Sequence, residues 1–214
     1  MKKIGLKFSA AMSIGVVATI VLYLLFIKSP YFAIFQSWSS SNMILFFVFL
    51  TLIKILGVIW PPIPGGLFTL GAIPILGWLT AYTADFLGSV TGSIIAYVLG
   101  NKYGFPFLEK ILDGSTIQKI KKIKIKKNKE FESMFFLRIF GGSIMEVVVY
   151  ASGLLGVRFS NFIVAGTLSH LLVGLPTYFL AGELASGKNA FLHVASFVLL
   201  IVIFSKFKNR YFEW

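Results

Sequence analysis

The sequence predicts an all-α polytopic membrane protein with about four to six membrane-embedded helices, and three observations carry that prediction. Of its 214 residues, 57% are hydrophobic and only 13% charged, against about 25% charged in ordinary soluble domains; the mean hydropathy is +0.86. Several apolar runs approach the ~20 residues that a helix needs to cross a bilayer. Two further apolar stretches are interrupted by glycine, the first also by proline, in a repeated pattern, which predicts hairpins that dip into the membrane and return.

The same composition narrows the chemistry. There are no cysteines, which excludes disulfides and thiolate metal sites. His170 and His193 stand far apart without carboxylates at ligand spacing, so neither a metal nor any other cofactor is expected. The net charge of +12 lies in lysine clusters between and beyond apolar runs, where anionic lipid head groups are the natural partners and nucleic acid is not. No Ser/His/Asp set or phosphate-cradling loop is readable, and the GGS at Gly141 lacks a nucleophile-elbow context, so no enzyme is expected.

Residues 1–42 read as an N-terminal membrane helix and a loop. Met1–Lys7 carries three lysines, and the apolar run Ser9–Ile27 is longer than the ~7–15 residues of a signal-peptide core, so it reads as a spanning helix. Lys28–Asn42 is polar enough to be a loop. Met43–Ile59 is apolar again apart from Lys54, read as a lysine that snorkels outward rather than as a relay member.

Residues 43–187 form the main membrane domain, with dipping segments at residues 60–79 and 134–157. The first contains WPPIPGGLFTLGAIPILGW. Pro61, Pro62 and Pro64 remove three backbone donors, and Gly65 and Gly66 permit a tight reversal. Irregular backbone at membrane depth is tolerated only where it is buried in protein or lines a wet cavity, so a re-entrant hairpin is the economical reading. Thr80–Gly100 follows as a helix with Gly88, Gly92, Ser93 and Ala96 at helical spacing, which predicts close packing inside a bundle.

Lys119–Lys129 holds seven lysines interleaved with isoleucines; it reads either as an amphipathic helix on anionic head groups or as a solvated loop. In Met134–Val157 the pair Gly141-Gly142 precedes Ala151-Ser-Gly-Leu-Leu-Gly156, as Gly65-Gly66 precedes Ala72-Ile-Pro-Ile-Leu-Gly77. Each stretch leads into an apolar helix closing on Tyr97-x-x-Gly100 or Tyr178-x-x-x-Gly182. Paired interrupted segments of this kind point to a transporter-type site near the midplane. Phe159–Gly182 reads as a spanning helix, followed by Glu183 at the head-group level. Residues 188–214 read as a short last membrane helix, Ala190–Phe204, and a basic tail. The positive-inside rule then puts the N-terminus, the lysine segment and the C-terminus in the cytoplasm.

Charges inside apolar stretches supply the candidate path. Asp85, Arg138 and Glu146 each stand where an isolated charge costs several kcal/mol, about 2.5–3.5 even on lenient scales. Each either meets a partner on a polar path or sits at the interface and snorkels. A bend at Gly141-Gly142 would bring Arg138 and Glu146 together. His170 reads as an intramembrane histidine bonded to a neighbouring helix.

PPIPGG with GSVTGSIIAYVLGNKYG, followed by RIFGGSIMEVVVYASGLLGVRFSNF, resembles the DedA superfamily, also called the VTT or SNARE-associated membrane protein family. Arg138, Glu146, Tyr150, Ala151 and Gly153 fall on the positions of one branch's second motif, but Gly141 and Ile144 replace its prolines, and Glu146 its usual Asp. Gly66 and Ser93 stand where the bacterial branch often has Glu and Asp, which counts against a proton-coupled mechanism that needs those carboxylates. The resemblance implies an inverted repeat with two re-entrant hairpins around a polar cavity, and movement of phospholipids or polyprenyl phosphate between leaflets of a cell membrane, the bacterial inner membrane fitting best. Arg138, Glu146, Asp85 and Tyr150 would line the path. Pro61, Pro62, Pro64, Gly65, Gly66, Gly141, Gly142 and Gly153 would shape the hairpins. Homo-oligomerisation is left open, as are a proton- or ion-coupled solute transporter and a non-transporting scaffold.

Overall fold

The computed structural model describes residues 28–60, 63–111, 127–140 and 145–186, together with Leu25, Gly114, Ile117, Gln118 and Ile125. The predicted helices Ser9–Ile27 and Ala190–Phe204, most of Lys119–Lys129, Pro61, Pro62, Gly141, Gly142 and the side chain of Glu146 lie outside the described residues. Among the described residues every regular element is helical: α1 (Pro30–Ser41), α2 (Met43–Ile59), α3 (Gly65–Gly71), α4 (Ile73–Leu76), α5 (Trp78–Ile111), α6 (Glu130–Phe140), α7 (Met145–Leu154) and α8 (Phe159–Ala185). Two are long and apolar enough to cross a membrane, within Trp78–Pro106 and Phe159–Ala185, and a third span is available if α1 and α2, bent by 104°, count as one.

The stretch Lys28–Asn42, expected to be a loop, is a helix. Pro30 opens α1, where a missing N–H is harmless and the fixed φ suits the first turn. Its polar residues serve the helix itself: Ser39 and Ser40 donate to the Gln36 carbonyl, and the Asn42 side chain donates to that of Trp38. Phe35 and Trp38 then meet Phe46 of α2 edge-on. Polar side chains here bond back to their own helix, so they do not mark a loop even where they are exposed.

After Trp60 the chain reverses. A Cβ on Gly57 would stand 2.9 Å from Ile63 O and Gly65 N, and one on Gly65 would stand 3.1 Å from Ile53 O. Only glycine permits that approach, so α3 runs back along α2. Helix α5 then runs parallel to α2, with Gly88 against Lys54 and Thr51, and Gly92 against Val58 and Ile55. Ser152 of α7 donates to Met134 Sδ of α6 as the chain returns, and α8 runs parallel to α6, with Glu130 at Arg158 and Asn161 and Arg138 at Gly166.

The two halves meet along α5. Gly100 lies against the Tyr150 backbone of α7, and Gly153 of α7 lies against the Tyr97 backbone of α5, so closely that a methyl group at either would overlap a carbonyl oxygen. This is the small-residue packing that the sequence predicts for membrane helices, and Ala96 and Ser93 beside it are fully buried. The main core gathers Ala96, Tyr97, Met134, Val149, Tyr150 and Phe162, while Leu, Ile and Val side chains of α2 and α8 remain outward. Gly104 adopts a positive φ of 62° just before Pro106 and kinks α5 at its far end.

Candidate functional site

Two charged clusters sit inside this bundle. In the first, Lys54 Nζ of α2 lies 2.8 Å from Asp85 Oδ1 of α5, and the carboxylate side chain is only 3% exposed. The lysine reaches it because its stem lies over Gly88, where a Cβ would come within 2.6 Å of Lys54 Cβ. Thr69 of α3 donates its hydroxyl to the same Asp85 oxygen at 2.8 Å. With that proton committed, Tyr178 of α8 donates to Thr69 Oγ1 at 2.6 Å. One carboxylate oxygen therefore ties together α2, α3, α5 and, through Thr69, α8.

The other oxygen is less well served. His170 Nε2 of α8 stands 3.2 Å from Asp85 Oδ2 but without hydrogen-bond geometry, and Ser89 is 3.5 Å away. The Tyr82 ring stacks on His170 with centroids 5.8 Å apart, and both ring edges lie over Gly174, 3.1–3.2 Å from where its Cβ would be. Neither Tyr82 Oη nor His170 Nε2 has a hydrogen-bond partner among the described residues. Buried polar atoms without hydrogen-bond partners are uncommon, and His170 Nε2 keeps ion-pair distance to Asp85.

The second cluster centres on Arg138 of α6. Its Nη2 donates to Ser93 Oγ at 3.1 Å, and its guanidinium lies 5.4 Å from the Phe162 ring centre. Gly166 makes the space, since a Cβ there would fall 2.6 Å from Nη2. Lys54 and Arg138 are thus each bedded on a glycine of a neighbouring helix.

Asp85, Ser89 and Ser93 recur every four residues and so share one face of α5. All three are buried. Eight residues of helix separate the two clusters by about 12 Å. Helix α8 runs antiparallel to α5 and matches them, with His170 opposite Asp85 and Gly166 beside Arg138. Asp85, Ser89 and Ser93 thus mark a polar track along one face of α5 between the two clusters.

The predicted site residues divide accordingly. Asp85 and Arg138 lie on the track, in separate clusters. Asp85 does not snorkel, and neither does Lys54: the opposite charge at 2.8 Å, reached over Gly88, holds both inward. Tyr150 is fully buried and donates to the Ile59 carbonyl at 2.6 Å, joining α7 to the end of α2. Of the hairpin residues described, Pro64 precedes α3, Gly65 and Gly66 form its first turn, and Gly153 packs on α5. Sequence reading missed Thr69, Tyr178, Ser89 and the partnership of Lys54 with Asp85. The readable signal was the pair itself, two opposite charges in two apolar helices, α2 and α5.

No curated protein and no solved structure matches this chain. The model of the VTT domain family does match, over residues 63–184, a span that contains every residue of both clusters except Lys54. This helical, membrane-embedded chain belongs to the VTT domain family.

Proposed function

We propose that this chain is a lipid translocase of the scramblase type, moving a phospholipid or polyprenyl phosphate between leaflets without catalysing a reaction. The observation that carries the reading is the buried polar track from Arg138 through Ser93 and Ser89 to Asp85. Intramembrane ionisable groups are expensive and mark transport paths by default. A guanidinium suits a phosphate because it offers a planar fork of donors to its oxygens. Glu146 would orient Arg138 or exchange a proton as the phosphate arrives.

The helix directions support two re-entrant hairpins in an inverted repeat, α2–α3–α4 before α5 and α6–α7 before α8. The two long helices are antiparallel, so each hairpin would enter from its own side. The tyrosines follow the same logic. Tyr97 and Tyr178 each stand 19 residues after the first residue of their helices, and each bonds the other half, Tyr97 to Val157 O and Tyr178 to Thr69. In this reading the protein lies in the cell membrane of a bacterium, with both termini and Lys119–Lys129 on the cytoplasmic side against anionic head groups.

Reconstitution in liposomes with labelled phospholipid or polyprenyl phosphate tests the proposal: leaflet exchange above that of empty vesicles is expected, and its absence with folded protein would refute it. A proton- or ion-coupled solute transporter is the second reading, favoured by the titratable groups around Asp85. Proton flux through the wild type that is lost in Glu146→Gln, without lipid exchange, would select it.

A further inference from the structure

The surroundings of Thr69 have the composition of a cation site. Its hydroxyl oxygen lies 2.8 Å from Asp85 Oδ1, 2.6 Å from Tyr178 Oη, 3.1 Å from Gly66 O and 3.3 Å from Gly65 O. That places one carboxylate, two hydroxyls and two main-chain carbonyls together, the carbonyls keeping a second lone pair beside their helix bonds. Such oxygen-rich groups are what hard cations take as ligands. A cation is present at the edge of the group, but it is covalently attached: Lys54 Nζ stands 2.8 Å from Asp85 Oδ1 and 3.4 Å from where a Cβ of Gly66 would be.

We propose that the Lys54 ammonium holds the place of a monovalent metal cation, so that Asp85 is neutralised by a tethered ion and the track works without a free one. Charge decides the class. A single carboxylate balances one positive charge, and a divalent ion would leave an excess charge in a bundle where an unpaired charge costs several kcal/mol. Reach and access fit as well, because 17% of the Lys54 side chain remains exposed and its removal would open the oxygens to an ion from outside. Resting on the translocase reading, the functional consequence is that lipid movement draws on no sodium or potassium gradient. The site itself is tested independently of lipid movement.

Full-length wild type, Lys54→Ala and Lys54→Gln are melted in detergent in sodium chloride and in choline chloride at equal ionic strength. The wild type is expected to melt at the same temperature in both salts. The Lys54 variants are expected to melt lower in choline and to regain several degrees in sodium, saturably with concentration as ligand linkage requires. Adding Asp85→Asn should abolish that sodium effect. Lys54 variants that melt identically in the two salts, or a wild type stabilised specifically by sodium, would overturn the proposal. Should neither variant be recovered folded, the wild type still decides. Equal melting in both salts and lipid exchange unchanged by an imposed sodium gradient support it, and sodium dependence of either refutes it. Absence of any lipid exchange, with the sodium-dependent melting of the variants intact, would refute the translocase reading and leave the cation site standing.

Discussion

Asp85 ties α5 to α2 and α3 and, through Thr69, to α8. Removing one partner of a buried ion pair leaves an uncompensated charge and costs about 3–5 kcal/mol, while removing both costs far less. Asp85→Asn should therefore lower the melting temperature sharply. The double variant Lys54→Met/Asp85→Asn should be more stable than the sum of the single changes predicts, and a double-mutant cycle by thermal melting checks it. Composition made Asp85 conspicuous, since a carboxylate in an apolar run needs an explanation. It could not show that Lys54, 31 positions earlier, answers it. That depends on Gly88 leaving room for the lysine stem, and glycine's role as a seat becomes visible only when two helices are placed side by side.

Individual elements are held together by glycines and caps with distinct tolerances. At Gly100 or Gly153 an added methyl meets main-chain oxygen, which cannot move alone; at Gly166 it meets the end of the Arg138 side chain, which can. Overpacking costs about 1–3 kcal/mol. Gly100→Ala and Gly153→Ala should thus reduce thermal stability more than Gly166→Ala, whereas Gly166→Ala should act on transport by pushing Arg138 off Ser93. Glu130 accepts the Arg158 N–H and the Asn161 side chain at the start of α8. Glu130→Gln weakens charge-assisted bonds at a helix N-terminus and should cost about 1–2 kcal/mol in a melting experiment. The small-residue pattern of Thr80–Gly100 was legible because spacing alone puts Gly88, Gly92 and Ala96 on packed faces. Helix α1 was not legible, because serine and asparagine that bond back to their own helix resemble loop residues in sequence.

Across the whole molecule, the all-helical, membrane-embedded class was legible from composition and from the length of the apolar runs. Gly65-Gly66 marks the reversal after which α3 runs back along α2. What sequence could not supply is how the halves interlock, through Tyr97 on Val157, Tyr178 on Thr69 and Tyr150 on Ile59. These are contacts between residues 60 to 109 positions apart, invisible to local spacing. Arg138 is the most exacting test of the proposed lipid path. Leaflet exchange of labelled lipid is measured in liposomes holding equal amounts of folded wild type or Arg138→Ala. Exchange well above empty vesicles for the wild type, reduced about ten-fold in the variant as loss of ~1.4 kcal/mol of phosphate binding would give, is the predicted result. Exchange that Arg138→Ala leaves unchanged, or a folded wild type that moves no lipid, would contradict it.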